Sequence, residues 1–288
     1  MWIKKFLDPD LYRMLQELRY HSDKAAYKKE LEANERFRNI HSGKRCFILG
    51  NGPSLNNLDF SLLKDEFTLT VNQLPRNPKF ADLHTNYHFW GDRLFFEISE
   101  DRPETMELLD VMRSVASPDN KPVVFYEMTA RPMIEKFNLK SELDIAYFKT
   151  ANLDPKIMLK KKIDFTNVIP GFATIVHYAI CMAVYMGFSQ IYLLGCDCTG
   201  FMAIAKNKLA LSQEIEYGYE ISCNERKRMA NASRERSIRD ELSFYVNLFD
   251  TYELLYAHCE QNKVELYNAT EGGLLENLPH AVFEDLMK

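Results

Sequence analysis

Phe47-Ile48-Leu49-Gly50-Asn51-Gly52-Pro53-Ser54-Leu55 decides how this chain is read. A short apolar run passes directly into two glycines, an asparagine, a proline and a serine, and a helix is expected to follow. Strand, glycine-rich turn and helix, in that order, form the layout in which α/β proteins bind phosphate. The glycines let the backbone approach the ligand, and the helix N-terminus presents free N–H groups and a partial positive charge. Two familiar versions are excluded. Leu55 stands where G-x-G-x-x-G has its third glycine, and no Gly-Lys-Ser/Thr follows to make a P-loop. Read alone, the turn leaves two alternatives open: phosphate binding, or a tight turn that needs glycine for backbone reasons only.

Working outward, short apolar runs alternate with helical patterns from residue 46 onward. The strand candidates are Cys46–Leu49, Thr68–Val71, Tyr87–Trp90, Val123–Tyr126, Ile191–Gly195 and Val264–Tyr267. The helix candidates are Asp59–Leu63, Thr105–Val115, Ala173–Met186 and Arg234–Gln261. Apolar strands separated by helices predict an α/β fold, a mostly parallel sheet covered on both faces. Residues 199–233 carry no strand pattern and contain Tyr217-Gly218-Tyr219. They are expected to be a lid, with a peripheral helical insertion as the alternative. Residues 1–42 read as a helical arm, with Ile3, Leu7, Leu11, Met14, Leu15 and Leu18 at helical spacing.

Composition narrows the function classes. The chain has 288 residues, 46% hydrophobic content and a net charge of −5, so binding of duplex nucleic acid through bulk charge is not expected. No stretch reaches the roughly 18 apolar residues of a membrane span, and Met1–Asp8 lacks the apolar core of a signal peptide. A cytoplasmic protein is predicted. Residues 1–46 hold eleven Lys and Arg against seven Asp and Glu, a net +4 that leaves −9 for the rest. A basic amphipathic arm suits peripheral contact with an anionic membrane at its inner face. Packing of its stripe on the domain, or on a second subunit in a homo-oligomer, is the commoner fate of such a stripe. Cys46, Cys181, Cys196, Cys198, Cys223 and Cys259 show neither disulfide nor zinc spacing and are expected to be reduced thiols.

In a parallel sheet, ligands bind outside the carboxyl ends of the strands. The residues delivered there are Gly50, Asn51, Gly52, Pro53 and Ser54, then Asn72 and Gln73, then Gly91, Asp92 and Arg93. Glu127, then Asp197, Cys198 and Thr199, and finally Asn268, Thr270, Glu271, Gly272 and Gly273 complete the set. Amides both donate and accept without charge, which suits a base and ribose. Asp92 and Asp197 are placed to bind ribose, hold Mg²⁺ with phosphates, or act as a base, or instead to cap the following helix. His84 and His88 lie near the third strand and are the candidate catalytic histidines beside Asp92. His177, in an apolar helix, reads as a satisfied core residue. The cluster Arg226, Lys227, Arg228, Arg234, Arg236 and Arg239, mixed with acids, reads as a solvated helix face rather than a diphosphate clamp.

The Phe47–Leu55 run resembles the opening motif of the bacterial family 42 sialyltransferases. It is also similar to the motility-accessory-factor glycosyltransferases and to the archaeal hydroxymethylpterin diphosphokinases. Val71-Asn72-Gln73, Leu94-Phe95-Phe96-Glu97 and Met186–Asp197 resemble later blocks of the same group, spread over about residues 45–200. The resemblance implies a single Rossmann-like domain of GT-A type, here 43–288, with a lid over a nucleotide-sugar donor. In the sialyltransferases that donor is a cytidylate (CMP) sugar. By carry-over, Asn51, Gly52, Ser54, Asn72 and Gln73 contact the nucleotide. Gly91 and Thr199 stand where the family has a donor-binding Asn and a phosphate-binding Tyr. The family's lid histidine has no counterpart, since residues 178–257 contain none. The reading that follows is a bacterial glycosyltransferase of surface polysaccharide or lipopolysaccharide synthesis. It takes a nucleotide-sugar donor and a glycan or lipid-linked acceptor, with no required cofactor and Mg²⁺ as an option. The alternatives are an ATP/Mg-dependent diphosphokinase and a non-catalytic nucleotide-binding protein.

Overall fold

A computed structural model describes residues 9–159, 162–209, 215–232 and 237–288. The strands are β1 Arg45–Leu49, β2 Phe67–Val71, β3 Tyr87–Trp90, β4 Val123–Glu127, β5 Asp144–Phe148, β6 Thr150–Ala151, β7 Ile169–Pro170, β8 Gln190–Leu194 and β9 Glu265–Asn268. The helices are α1 Pro9–Ala26, α2 Lys28–Glu32, α3 Pro103–Arg113, α4 Arg131–Lys136, α5 Pro155–Met158, α6 Ile175–Met186, α7 Gly200–Lys208, α8 Cys223–Ala232, α9 Ile238–Gln261 and α10 Phe283–Leu286. Seven strands form one sheet in the order β5-β4-β3-β2-β1-β8-β9, and every pairing in it is parallel. The chain lays β1 to β5 in one direction, returns through α6, and places β8 on the free side of β1. The order of the sheet therefore reverses between β1 and β8.

The strands look uniformly apolar because both faces are covered. Along β1, Cys46 and Ile48 pack with α6 and α9, while Phe47 and Leu49 pack with the short turns and the C-terminal segment on the other face. Helix α6 is buried along its whole length, as a helix apolar all round must be. It stops at Gly187, whose φ of +85° supplies the left-handed C-cap. Under β3 to β5, α3 and α4 close a separate apolar layer around Trp90 and Tyr126.

Four expectations change. Strand β5, between Val123–Glu127 and α6, was not among the strand candidates; its exposed Asp144 and the short loops around it hide its period. The turn at Gly50–Ser54 is followed by a five-residue 3₁₀ turn, Pro53–Asn57, and not by an α-helix. Asp59–Leu63 is likewise a 3₁₀ turn, Phe60–Leu63. The arm divides in two. Leu31 and Phe37 are core residues, and the Asn34 amide donates to the Tyr147 and Phe165 carbonyls, so residues 31–37 belong to the domain. On α1, by contrast, Leu11, Met14, Leu15 and Leu18 remain 42–59% exposed. Residues 1–8, with Ile3 and Leu7, lie outside the described residues. Among the described residues no helix is long and apolar enough to cross a membrane.

Candidate functional site

The point where the strand order reverses is where open parallel sheets bind ligands, and the Gly50–Ser54 turn sits on it. The backbone N–H groups there are already engaged. Gly50 N–H donates to Leu194 O (2.8 Å) and Gly52 N–H to Gly195 O (2.8 Å). Ser54 N–H and Oγ–H donate to the two Asp197 carboxylate oxygens at 3.0 and 2.8 Å. The glycines answer to the same neighbour. A Cβ on Gly52 would lie 1.8 Å from Asp197 Oδ2, and one on Gly50 2.4 Å from Gly195 O. Glycine is required because the ends of β1 and β8 touch. Of the two alternatives left open by the sequence, the backbone requirement is the one the geometry displays, and these three amides are not available to cradle a phosphate.

The other predicted donor residues divide among separate places. Pro53, Asp197 and Thr199 line a cavity of about 250 Å³ with Gly200, Ile215 and Glu216. Ser54 and Thr270 line a different one, about 400 Å³, closed by His280 and Phe283. Burial pushes the Asp197 carboxyl up despite the two bonds from Ser54. Asn268 donates through Nδ2 to Leu275 O and accepts through Oδ1 from Thr270 N–H. Thr270 Oγ1 accepts from Cys196 N–H. Both are buried residues that tie β9 to the loop after it.

Asn51 and Asn72 stand apart from that framework. Asn51 Nδ2 donates to Val71 O at 3.2 Å, which seats its side chain beside Asn72 on the next strand. Asn72 adopts the left-handed conformation, φ +49°. The Oδ1 atoms of both are buried and receive no hydrogen bond. A buried amide oxygen without a donor costs about 1–3 kcal/mol, so these two carbonyls are under-satisfied groups at adjacent strand ends. The segment 217–219 binds here: Gly218 N–H donates to Asn51 O at 2.9 Å, Asn77 Nδ2 donates to Gly218 O, and the Tyr217 and Tyr219 rings stack on each other with centroids 5.3 Å apart. Residues 210–214 and 233–236, with Arg234 and Arg236, lie outside the described residues.

The insertion that carries α8 is held to the sheet by charge. Glu225 on α8 accepts two bonds from Arg228 at 2.8 and 2.7 Å and one from Gln73 Nε2 at 2.7 Å. Arg76 reaches Glu107 at 2.5 Å and Glu225 at 3.7 Å. Arg228 is thus buried in an ion-pair cluster against the Phe95 ring, not part of a solvated face. Gln73 is occupied by the latch. Sequence reading missed Arg76, Asn77 and Glu107; proximity to the second strand's end could have pointed to the first two, whereas Glu107 lies on α3 and carried no signal.

Of the three catalytic candidates, one is exposed beyond the carboxyl end of a strand. Asp92 is exposed at the end of β3, where it accepts from Leu94 N–H at 2.9 Å and faces the Arg228 charge. His88 is fully buried. Its Nδ1 bonds Thr70 Oγ1 at 2.7 Å and its Nε2 bonds Asn72 O at 2.9 Å, and burial pushes its pKa down to about 3. It is a strut under Asn72 and not a proton carrier. His84 precedes β3, so it sits at the amino edge of the sheet, opposite the site. Gly91 packs against Ile175. His177 is buried as expected, but both ring nitrogens lack partners, with Tyr252 edge-on at 4.3 Å. Asp92 and Asp197 follow strands three positions apart, about 14 Å at normal strand spacing. A divalent ion needs its oxygens within about 2.6 Å, so these two cannot share one.

No family model and no curated protein matches the sequence. Among solved structures, the chain is similar to the MAf glycosyltransferase from Magnetospirillum magneticum AMB-1. The identity is 12% and the TM-score 0.48, over 88% of this chain and 38% of that one. The chain therefore spans less than half the length of that neighbour. Likeness at this level says nothing of substrate or chemistry, and the parallel sheet with its reversal at β1 and β8 stands on its own register.

Proposed function

We propose that this chain is a glycosyltransferase that takes a sugar from a cytidylate-linked donor. The supporting observation is the pair of buried, donor-less carbonyls, Asn51 Oδ1 and Asn72 Oδ1, beside the strand-order reversal and beneath the lid. Two acceptors side by side call for a ligand with two donors, such as the exocyclic amine of cytosine or ribose hydroxyls. Since the turn amides are spent on β8, the donor phosphate is assigned to the lid side. There Pro53, Asp197 and Thr199 meet Ile215 and Glu216, and the α7 N-terminus opens at Gly200. Asp92 then serves as the base for the acceptor hydroxyl. The resemblance of Phe47–Leu55 and Val71–Gln73 to sialyltransferase motifs agrees with this reading.

The test is a thermal-shift and calorimetric panel of CMP, UMP, GMP and AMP. At 100 times its dissociation constant a ligand adds about 2.7 kcal/mol of stability, so CMP is expected to raise Tm visibly. Asn72→Gly is expected to abolish that shift while the free protein stays folded, since glycine keeps the left-handed backbone at this position and the change removes an unsatisfied oxygen. Preference for another nucleotide, or an undiminished CMP shift in the Asn72 variant, rejects the assignment.

A further inference from the structure

We propose that a small cavity at the carboxyl ends of β3, β4 and β5 binds a compact anionic group, a carboxylate or phosphate, carried by a hydroxylated molecule. The cavity is lined by Arg19 from α1, Arg93 after β3, Glu127 at the end of β4, Lys149 and Thr150 after β5, and Tyr178 from α6. Its volume is about 140 Å³. A water molecule takes about 30 Å³ of liquid, so the space equals that of a few waters. It admits one charged head group, whereas whole-ligand pockets run to about 300–1,000 Å³.

The polar groups of the cavity are unequally satisfied, and the imbalance sets the ligand's charge. Glu127 is held from all sides. Its Oε2 accepts from Thr129 N–H (2.7 Å) and Thr129 Oγ1 (2.5 Å), and its Oε1 from Thr150 N–H (3.2 Å). Lys149 is 8% exposed and has three N–H donors. It reaches Glu127 Oε1 only at 3.4 Å and Asp23 Oδ2 only at 4.0 Å. Asp23 Oδ2 is itself buried without a hydrogen-bond donor, with Arg19 Nε 3.9 Å away. Arg93 has no ion pair among the described residues. Three cations therefore face two carboxylates, and the nearby Asp92 turns back onto Leu94 N–H. An anion fills the donor capacity of Lys149 and Arg93, and Thr150 Oγ1 on the cavity wall accepts from a hydroxyl on the same molecule.

Position gives the site its role. Along the carboxyl edge of the sheet the order is Asn51 on β1, Asn72 on β2, Asp92 on β3, and then this cavity across β3 to β5. Nucleoside, base and anion site lie in a row, so the anion is the charged group of the acceptor. The acceptor role rests on the transferase reading; the anion site does not.

Calorimetric titration of the full chain with inorganic phosphate, glucuronate and, as the uncharged control, glucose tests it. Saturable binding of phosphate or glucuronate but not glucose is expected. It should weaken at least roughly tenfold in Arg93→Ala, whose side chain is exposed and whose loss does not threaten the fold, and more in Lys149→Met. CMP affinity in Arg93→Ala should equal that of the parent. No saturable anion binding, glucose binding as well as glucuronate, or unchanged anion affinity in the Arg93 variant overturns the proposal. Anion binding that persists while CMP fails to bind rejects the donor assignment and leaves this site standing.

Discussion

Asp92 and the two histidines near it separate what a side chain is from where it sits. All three belong to the neighbourhood of β3, and their sequence positions do not rank them. Only Asp92 is exposed beyond the carboxyl end, while His88 is walled in by Thr70 and Asn72. A positioned general base contributes roughly 10²–10⁴-fold to rate. Asp92→Asn is therefore expected to lower kcat by that factor in a donor-to-acceptor transfer assay, with CMP affinity within about twofold of the parent. His84→Ala, at the far edge of the sheet, should leave kcat unchanged, and a comparable loss in that variant would remove Asp92 from the role. The glycines teach a similar lesson. Gly50 and Gly52 stood out in the sequence, but their reason is the contact with Gly195 and Asp197, a partner 143 residues away from Ser54. Asn51 and Asn72 were also legible as strand-end amides. That their oxygens lack donors was not, because a bare sequence does not say which neighbours approach.

Among the elements, α8 is joined to the rest of the fold by a few buried charges. Glu225 is 1% exposed and Arg228 8%, and removing one member of a buried pair costs about 3–5 kcal/mol because it strands the other charge. Helix α8 belongs to no strand pairing of the sheet, so the loss can be absorbed by local opening rather than global unfolding. Glu225→Ala is expected to speed amide exchange across residues 223–229 and expose the Tyr217–Tyr219 turn to protease, with the exchange of β1 and β8 unchanged. Uniformly faster exchange in both regions would show that the latch is part of the core. The sequence marked 199–233 as an insertion from its missing strand period. It did not show α8 packing on α3, since Arg76, Glu107 and Glu225 come from three distant segments and each alone reads as a surface charge.

For the molecule as a whole, buried imidazoles link stability to pH. Burial pushes both His88 and His177 from the ordinary 6.5 down to about 3, so both are neutral when folded. Below about pH 6.5 the unfolded chain takes up protons that the folded chain refuses, and stability falls as pH falls, until about pH 3. The slope is at most about 1.4 kcal/mol per pH unit for each histidine. His177→Leu, which also removes two unpartnered nitrogens, should lose roughly 1 kcal/mol less than the parent between pH 6 and pH 5, read from urea unfolding. An identical loss in both proteins would mean that His177 is protonated when folded. At this scale the fold class was written in the chain. Apolar runs of strand length separated by helical periods admit little but a parallel sheet with both faces covered, because each run must bury two sides. The sequence by itself determined that layering, the position of the turn at Gly50–Ser54, and the list of groups at the strand ends. Only the tertiary structure decided that the turn's amides serve β8, that His88 is a strut, and that Glu127 and Lys149 close a charged cavity. Those outcomes depend on which distant groups meet at hydrogen-bond distance, and local periodicity carries no record of that.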